Sequence, residues 1–242
     1  MKSHFKKNLL IISACILVMA IICGLAAGRK LNPLVVGKYE VKLVDASHYQ
    51  GNISWDTLAD EGISFAYIKA TEGSTYVDDC YASNAQNAEL ADIYVGAYHF
   101  FSFSSPGNKQ ALNFIETVGS LSGMLAPVVD VETYGGIKPD NDIIKKELDD
   151  FLSTLEEFYG VKPIIYTTMA MYFELIKDNY DEYPLWIRNV YFKPDILLNR
   201  KWDIWQYSDK GELPGYDGEE KHIDLNVSHY SRDEFIDRFL IE

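Results

Sequence analysis

Eight short runs rich in β-branched and aromatic residues, with helical stretches between the early ones, constrain this chain more than any other feature. The runs are 41–45, 65–70, 94–100, 127–132, 163–167, 184–188, 203–207 and 222–226. Apolar residues recur at about 3.6-residue spacing in 55–60, 78–91, 108–120 and 140–158; in the last, Ile143, Ile144, Leu148, Phe151, Leu152, Leu155 and Phe158 mark one face. Strands alternating with helices predict a parallel sheet. Eight of them predict an α/β fold closed into a TIM-like barrel. The later connectors carry Gly211, Pro214, Gly215 and Gly218 and read as loops, so fewer than eight helices are expected. Barrels of this kind place their chemistry at the C-terminal strand ends. That rule selects Asp45, Asp130 and Glu132, with Asp224 in the strand that neighbours the first on closure.

The run Pro127-Val128-Val129-Asp130-Val131-Glu132 is the most informative. Side chains two apart on a strand face the same way, about 6–7 Å apart along it. Asp130 and Glu132 therefore share the barrel side, and Val129 and Val131 face the helices. Carboxylates are costly to bury, and no basic residue adjoins this pair in sequence. Cleavage of a glycosidic bond needs such groups. One carboxyl must stay protonated to protonate the leaving oxygen, a neighbouring carboxylate helps to keep it so, and negative charge must offset the positive charge developing at the anomeric carbon. Glu132, the longer and nearer the strand end, is assigned as general acid. Asp130 is its electrostatic or orienting partner. An isolated D-x-E is also common at solvated strand ends, so the motif does not decide the matter alone.

Other chemistries lack their signatures. The histidines (His4, His48, His99, His222, His229) show no metal-binding H-x-x-x-H or H-E-x-x-H spacing, and neither G-x-S-x-G nor a phosphate-binding glycine loop occurs. Catalysis without metal or cofactor is the simplest reading. Aromatic residues make up 14% of the chain, which suits either a tyrosine-rich core or a cleft where sugar rings stack. Trp186 and Trp205 at strand ends are read as sugar-stacking residues. Tyr67, Tyr98, Phe100 and Tyr166 are read as cleft or core, Lys69 as the partner of an inward acid, Gln206 as a sugar hydrogen-bonder, and His99 as a satisfied barrel histidine without a catalytic role.

Residues 9–27 form nineteen uncharged residues, preceded by Lys6-Lys7 and followed by Arg29-Lys30. This is close to the length of a spanning helix, with basic flanks that favour a cytoplasmic N-terminus. The expected organisation is a basic cytoplasmic tail (1–8), a transmembrane signal-anchor or signal peptide (9–27), a polar linker (28–40) and a catalytic domain (41–242). Gly24-Leu25-Ala26 offers a cleavage site, which would release a secreted enzyme instead. Either fate places the body outside the cytoplasm. The first thirty residues hold five basic residues (Lys2, Lys6, Lys7, Arg29, Lys30) and none of the 36 acids, so the body is more acidic than the net −14 of the chain. Such a surface disfavours nucleic acid as a partner. Cys80 stands alone in the body, away from Cys15 and Cys23, so no disulfide staples the body.

The motifs in order resemble those of glycoside hydrolase family 25, the N-acetylmuramidase-type lysozymes. Asp45-Ala46-Ser47-His48-Tyr49-Gln50-Gly51 with Trp55 is similar to the family's opening motif, and 65–73, 94–100 and 127–132 to its next three strands. Ile165-Tyr166-Thr167, Leu185-Trp186-Ile187, Ile204-Trp205-Gln206-Tyr207 and Ile223-Asp224-Leu225-Asn226 follow in the same order. The resemblance implies hydrolysis of the β-1,4 bond between N-acetylmuramic acid and N-acetylglucosamine in the peptidoglycan glycan strand. It implies Glu132 as acid, with Asp45, Asp130 and Asp224 on the other acidic positions, and a mechanism that enlists the substrate's acetamido group. Arg188 stands where a small residue is usual, which would reshape a subsite. A tethered enzyme would act locally, in the company of envelope-assembly partners. A non-catalytic peptidoglycan binder on the same barrel and a glycosidase for another polysaccharide are the alternatives.

Overall fold

A computed structural model describes residues 2–133, 138–198 and 200–242; within its first helix the side chains of residues 2–12, 15, 21, 22, 25, 26 and 30 lie outside the description. That helix, α1 (Lys2–Val36), contains the expected span 9–27. Among the described residues no helix is long and apolar enough to cross a membrane; much of the expected span falls on side chains outside the description. The segment 28–40, expected as a linker, is helical through Val36.

The body follows as β1 (Lys42–Ala46), α2 (Trp55–Asp60), β2 (Phe65–Glu72), β3 (Tyr76–Val77), α3 (Tyr81–Leu90), β4 (Tyr94–Phe100), α4 (Gly107–Val118), β5 (Val128–Val131) and α5 (Asn141–Tyr159). Then come β6 (Ile164–Thr168), α6 (Met169–Met171), β7 (Leu185–Arg188), β8 (Ile204–Gly211), β9 (Ile223–Ser228) and α7 (Arg232–Phe239). Eight strands close a ring in the order β1, β9, β8, β7, β6, β5, β4, β2, with β1 paired back to β2 and β3 hairpinned on the outer end of β2. Each ring strand corresponds to one of the eight runs.

The last strand departs from the expected parallel arrangement. β9 runs antiparallel to both β8 and β1. The physical reason is the connection: only residues 212–222 separate β8 from β9, and a parallel crossover needs a dozen or more residues, usually a helix. The glycine- and proline-containing stretch folds back as a hairpin instead.

Strand alternation sorts the apolar residues into two cores. Val44, Ala46, Ala66, Ile68, Val95, Ala97, Val129, Val131, Ile165 and Ile187 face outward and pack with Phe114, Ile144, Leu148, Phe151, Leu152 and Leu155 of α4 and α5. Burial of each large side chain in this wall stabilises the fold by about 1.5–3 kcal/mol. Leu43, Phe65, Tyr67, Val128, Ile164, Trp186 and Ile204 face inward and are plugged from below by Phe235 and Phe239 of α7. Gly96 makes room in this interior: a Cβ there would lie 2.2 Å from the Tyr67 ring. The lower barrel is thus filled with side chains, and the polar residues are left for the upper rim.

Candidate active site

Asp45, Lys69, Glu72, Tyr98, Phe100, Val128, Asp130, Tyr166, Trp186 and Asp224 project from the barrel strands into one cavity of about 260 Å3, joined by Ser47, Tyr49 and Glu132 from the adjoining segments. A second depression shares Asp45, Tyr98, Glu132, Tyr166 and Asp224, and continues past Arg188 and Asp209 to Glu220 and His222. The two form one groove across the mouth. Asp130 and Glu132 both face it, while Val129 and Val131 lie in the wall. Asp224 reaches the same rim by the opposite route. Because β9 is antiparallel, the second residue of that strand lies level with Asp45 near the C-terminal end of β1.

The carboxyls are held by few direct contacts. Asn226 Nδ2 donates to Asp45 Oδ2 at 2.7 Å, and Trp186 Nε1 donates to Asn226 Oδ1 at 2.9 Å. Asp130 Oδ1 is buried and finds no hydrogen-bond partner among the described residues. Lys69, itself buried, pairs with Glu72 at 2.6 Å.

Burial raises the proton affinity of all four acids, because a charged carboxylate loses its hydration there. Asp45 is pushed up to about 6; hydrogen bonds from Asn226 and with Asp224 and the Arg188 charge oppose the rise, and Glu132 adds to it. Asp130 is raised well above the usual carboxylate range by burial and then by the charges of Glu132 and Asp45. Burial raises Glu132 against the pull of Arg188. Asp224 is raised well above its ordinary value by burial and by Asp45. The cluster therefore retains protons where isolated carboxyls would be ionised. That is the state in which a carboxyl can protonate a leaving oxygen.

Three expected cleft residues lie elsewhere. Tyr67 is fully buried below the mouth, its hydroxyl donating to Ala126 O at 3.3 Å. Trp205 faces the outer wall and donates its indole N–H to Asn189 O at 2.9 Å. Gln206 is buried behind Tyr166, whose hydroxyl donates to Gln206 Oε1 at 2.6 Å. Trp205 and Gln206 are adjacent on a strand and so must face opposite ways. His99 has both ring nitrogens engaged, with Thr71 Oγ1 at 2.7 Å and Gln110 Oε1 at 3.1 Å, and burial lowers it to about 4. It is the satisfied barrel histidine that was expected.

Two residues of the site, Tyr49 on the groove and the buried Asn226 behind Asp45, carry no individual role in the sequence reading. Tyr49 is 48% exposed on the groove. Its ring packs on His48 with centroids 4.1 Å apart, and His48 Nδ1 lies 2.6 Å from Asp78 Oδ2. Tyr49 sits in the opening motif, which was its one available signal. Asn226 is two residues beyond Asp224, so strand alternation alone places both on one face.

A family model described as glycosyl hydrolases family 25 matches residues 44–216. Lysozyme M1 of Streptomyces globisporus is 31% identical over 222 residues, spanning 85% of this chain and 74% of that protein. The structure of a family 25 glycosyl hydrolase from Bacillus anthracis superposes with a TM-score of 0.78 at 45% identity, covering 83% of this chain and 94% of that one. The bacterial lysozyme from Streptomyces coelicolor gives 0.72 at 30% identity, covering 81% and 95%.

Proposed function

The chain belongs to glycosyl hydrolase family 25 and hydrolyses peptidoglycan as a muramidase-type lysozyme, and we propose that it does so with Glu132 as general acid. The bond cut is the β-1,4 linkage between N-acetylmuramic acid and N-acetylglucosamine. Glu132 gives its proton to the glycosidic oxygen as the bond to the anomeric carbon breaks. The coupled acids share their protons, and in the reactive form the proton sits on Glu132 and the charge on Asp130. In that form Asp130 offsets the positive charge that develops there, and its Oδ1, without a hydrogen-bond partner among the described residues, can accept the N–H of the acetamido group on the same sugar. Asp45 and Asp224 tune the charge of the pair. Tyr98, Phe100, Tyr166 and Trp186 shape the floor, and Lys69 holds Glu72 at its edge.

One observation carries the assignment: four carboxyls with raised proton affinity converge on one groove, and Glu132 stands at its open edge while Asp130 is buried. Digestion of purified peptidoglycan followed by mass spectrometry tests it. New reducing ends on muramic acid are expected. Reducing ends on glucosamine, or intact glycan after exposure to folded protein, would overturn it.

Action on peptidoglycan places the enzyme outside the cytoplasm. We further propose that segment 9–27 anchors it to the membrane, on the strength of its nineteen uncharged residues and basic flanks. Membrane fractionation with N-terminal sequencing of native protein tests this. A soluble protein beginning after Ala26 or Ala27 would refute the anchor.

A further inference from the structure

The end of α1 is locked onto the barrel beside the groove. Asn32 is buried, and its Nδ2 donates to Val190 O at 2.9 Å and Tyr207 O at 3.2 Å. Val36 is buried in the outer core. Gly28 backs onto the β7–β8 connection so closely that a Cβ would lie 1.9 Å from Tyr191 O. Arg29 stands over the Tyr191 ring, 5.8 Å from its centroid, and pairs with Asp209 Oδ1. The other oxygen of Asp209 takes the guanidinium of Arg188 at 2.7 Å. Arg188 and Asp209 both line the groove that holds Glu132, Asp45 and Asp224.

One carboxylate thus sits between two guanidiniums. Asp209 facing Arg188 alone would cancel its charge. Shared with Arg29, it leaves the three groups with a net positive charge at the rim. Tyr166 of β6, Asp209 of β8, Glu132 after β5 and Asp224 of β9 face Arg188, and Arg188 also acts on Asp45 of β1. In turn Arg188 opposes the upward shift of Asp45, Glu132 and Asp224.

We propose that residues 28–36 of α1 are a positioning element of the catalytic groove: Asn32 pins the rim at Val190 and Tyr207, and Arg29 shares Asp209 with Arg188, so that Arg188 keeps its charge turned on Glu132 and Asp224. The role assigned to Glu132 above is the premise. The N-terminal helix, on this reading, is part of the catalytic body and sets the pH range of the enzyme.

The test uses the full chain in detergent, labelled with 13C at Asp and Glu carboxyls, with the titration of Glu132 and Asp224 followed by NMR and peptidoglycan turnover measured across pH. Arg188→Gln is expected to raise the Glu132 midpoint by about one unit, as loss of a nearby opposite charge requires. Arg29→Gln and Asn32→Ala are expected to raise it by a smaller step in the same direction, and Arg29→Lys to restore it. The alkaline limb of kcat against pH is expected to move with the midpoint. If Arg29→Gln and Asn32→Ala melt at lower temperature but titrate and turn over with the wild-type pH dependence, the helix end only docks and the proposal falls. The NMR arm needs no turnover. Wild-type protein that shows the coupled titration but leaves peptidoglycan intact would sink the muramidase reading and leave the positioning role standing.

Discussion

Asp45 and Asp224 are register partners across the β1–β9 ladder, although their strands run in opposite directions. Each influences the proton on the other, and Asp45 also raises Asp130. Asp45→Asn removes that repulsion, so Asp130 and Asp224 ionise at lower pH. The acid limb of kcat/KM is expected to move down by about one unit, read from the pH profile on a soluble glycan oligomer. An acid limb that stays in place would separate Asp45 from the catalytic titration.

Glu132→Gln keeps the shape and removes the proton. Turnover is expected to fall by about 10²–10⁴-fold, with glycan oligomer binding retained in calorimetry. A non-catalytic binder would show neither the wild-type turnover nor its loss.

Stability should rise on mild acidification. Asp45, Asp130, Glu132 and Asp224 have folded-state proton affinities above their unfolded values. Their contribution is fully present below the unfolded carboxylate range and is lost as pH rises through the folded values, about 6 for Asp45. His99, lowered to about 4, acts in the opposite sense: its contribution is lost as pH falls from the ordinary histidine range through 4. Four raised acids outweigh one histidine above that point. Melting temperature is therefore expected to be higher at about pH 5.5 than at about pH 7.5. It is expected to turn down in more acidic solution, as Asp209, held below the usual carboxylate range by Arg29 and Arg188 against its burial, loses its charge. Asp45→Asn should flatten the rise.

Tyr49 offers the groove an exposed ring braced by His48 and Asp78. Tyr49→Ala is expected to raise KM roughly tenfold with little change in kcat, the loss of one buried aromatic contact with a sugar. Steady-state kinetics on glycan oligomers check it; an equal fall in kcat would place Tyr49 in the chemical step instead.

Trp205 gives the contrasting case. It packs in the outer wall, so Trp205→Ala is expected to cost roughly 3–5 kcal/mol of stability. The milder Trp205→Phe should leave KM unchanged in the same kinetics. Sugar stacking by Trp205 would appear as a KM effect in the phenylalanine variant.

The strand runs and the acids were legible because both depend on local pattern. Asp130 and Glu132 share a face through alternation alone, and Val129 and Val131 confirm the phase. Depth along the barrel axis was not legible. Tyr67 has the inward phase that was expected, yet it lies a layer below the rim, because depth follows from strand tilt and stagger, which no single strand encodes. For β8 the phase itself was open: Trp205 and Gln206 cannot both face inward, and Ile204 inside the barrel decides for Gln206. The Arg29–Asp209 pair joins residues 180 positions apart, beyond any motif or period, so the docking of 28–36 was invisible behind the ordinary look of a linker.

The hairpin that feeds β9 into the barrel has a consequence for how such enzymes diverge. Residues 212–222 begin and end at the same rim, so their number can change without rethreading a strand or shifting Asp224 against Asp45. Doubling a loop costs only about 0.6 kcal/mol in closure entropy. Glu220 and His222 of this loop form one bank of the groove. A lineage can therefore recut that bank to suit a differently decorated wall polymer while the carboxyl cluster stays where it is.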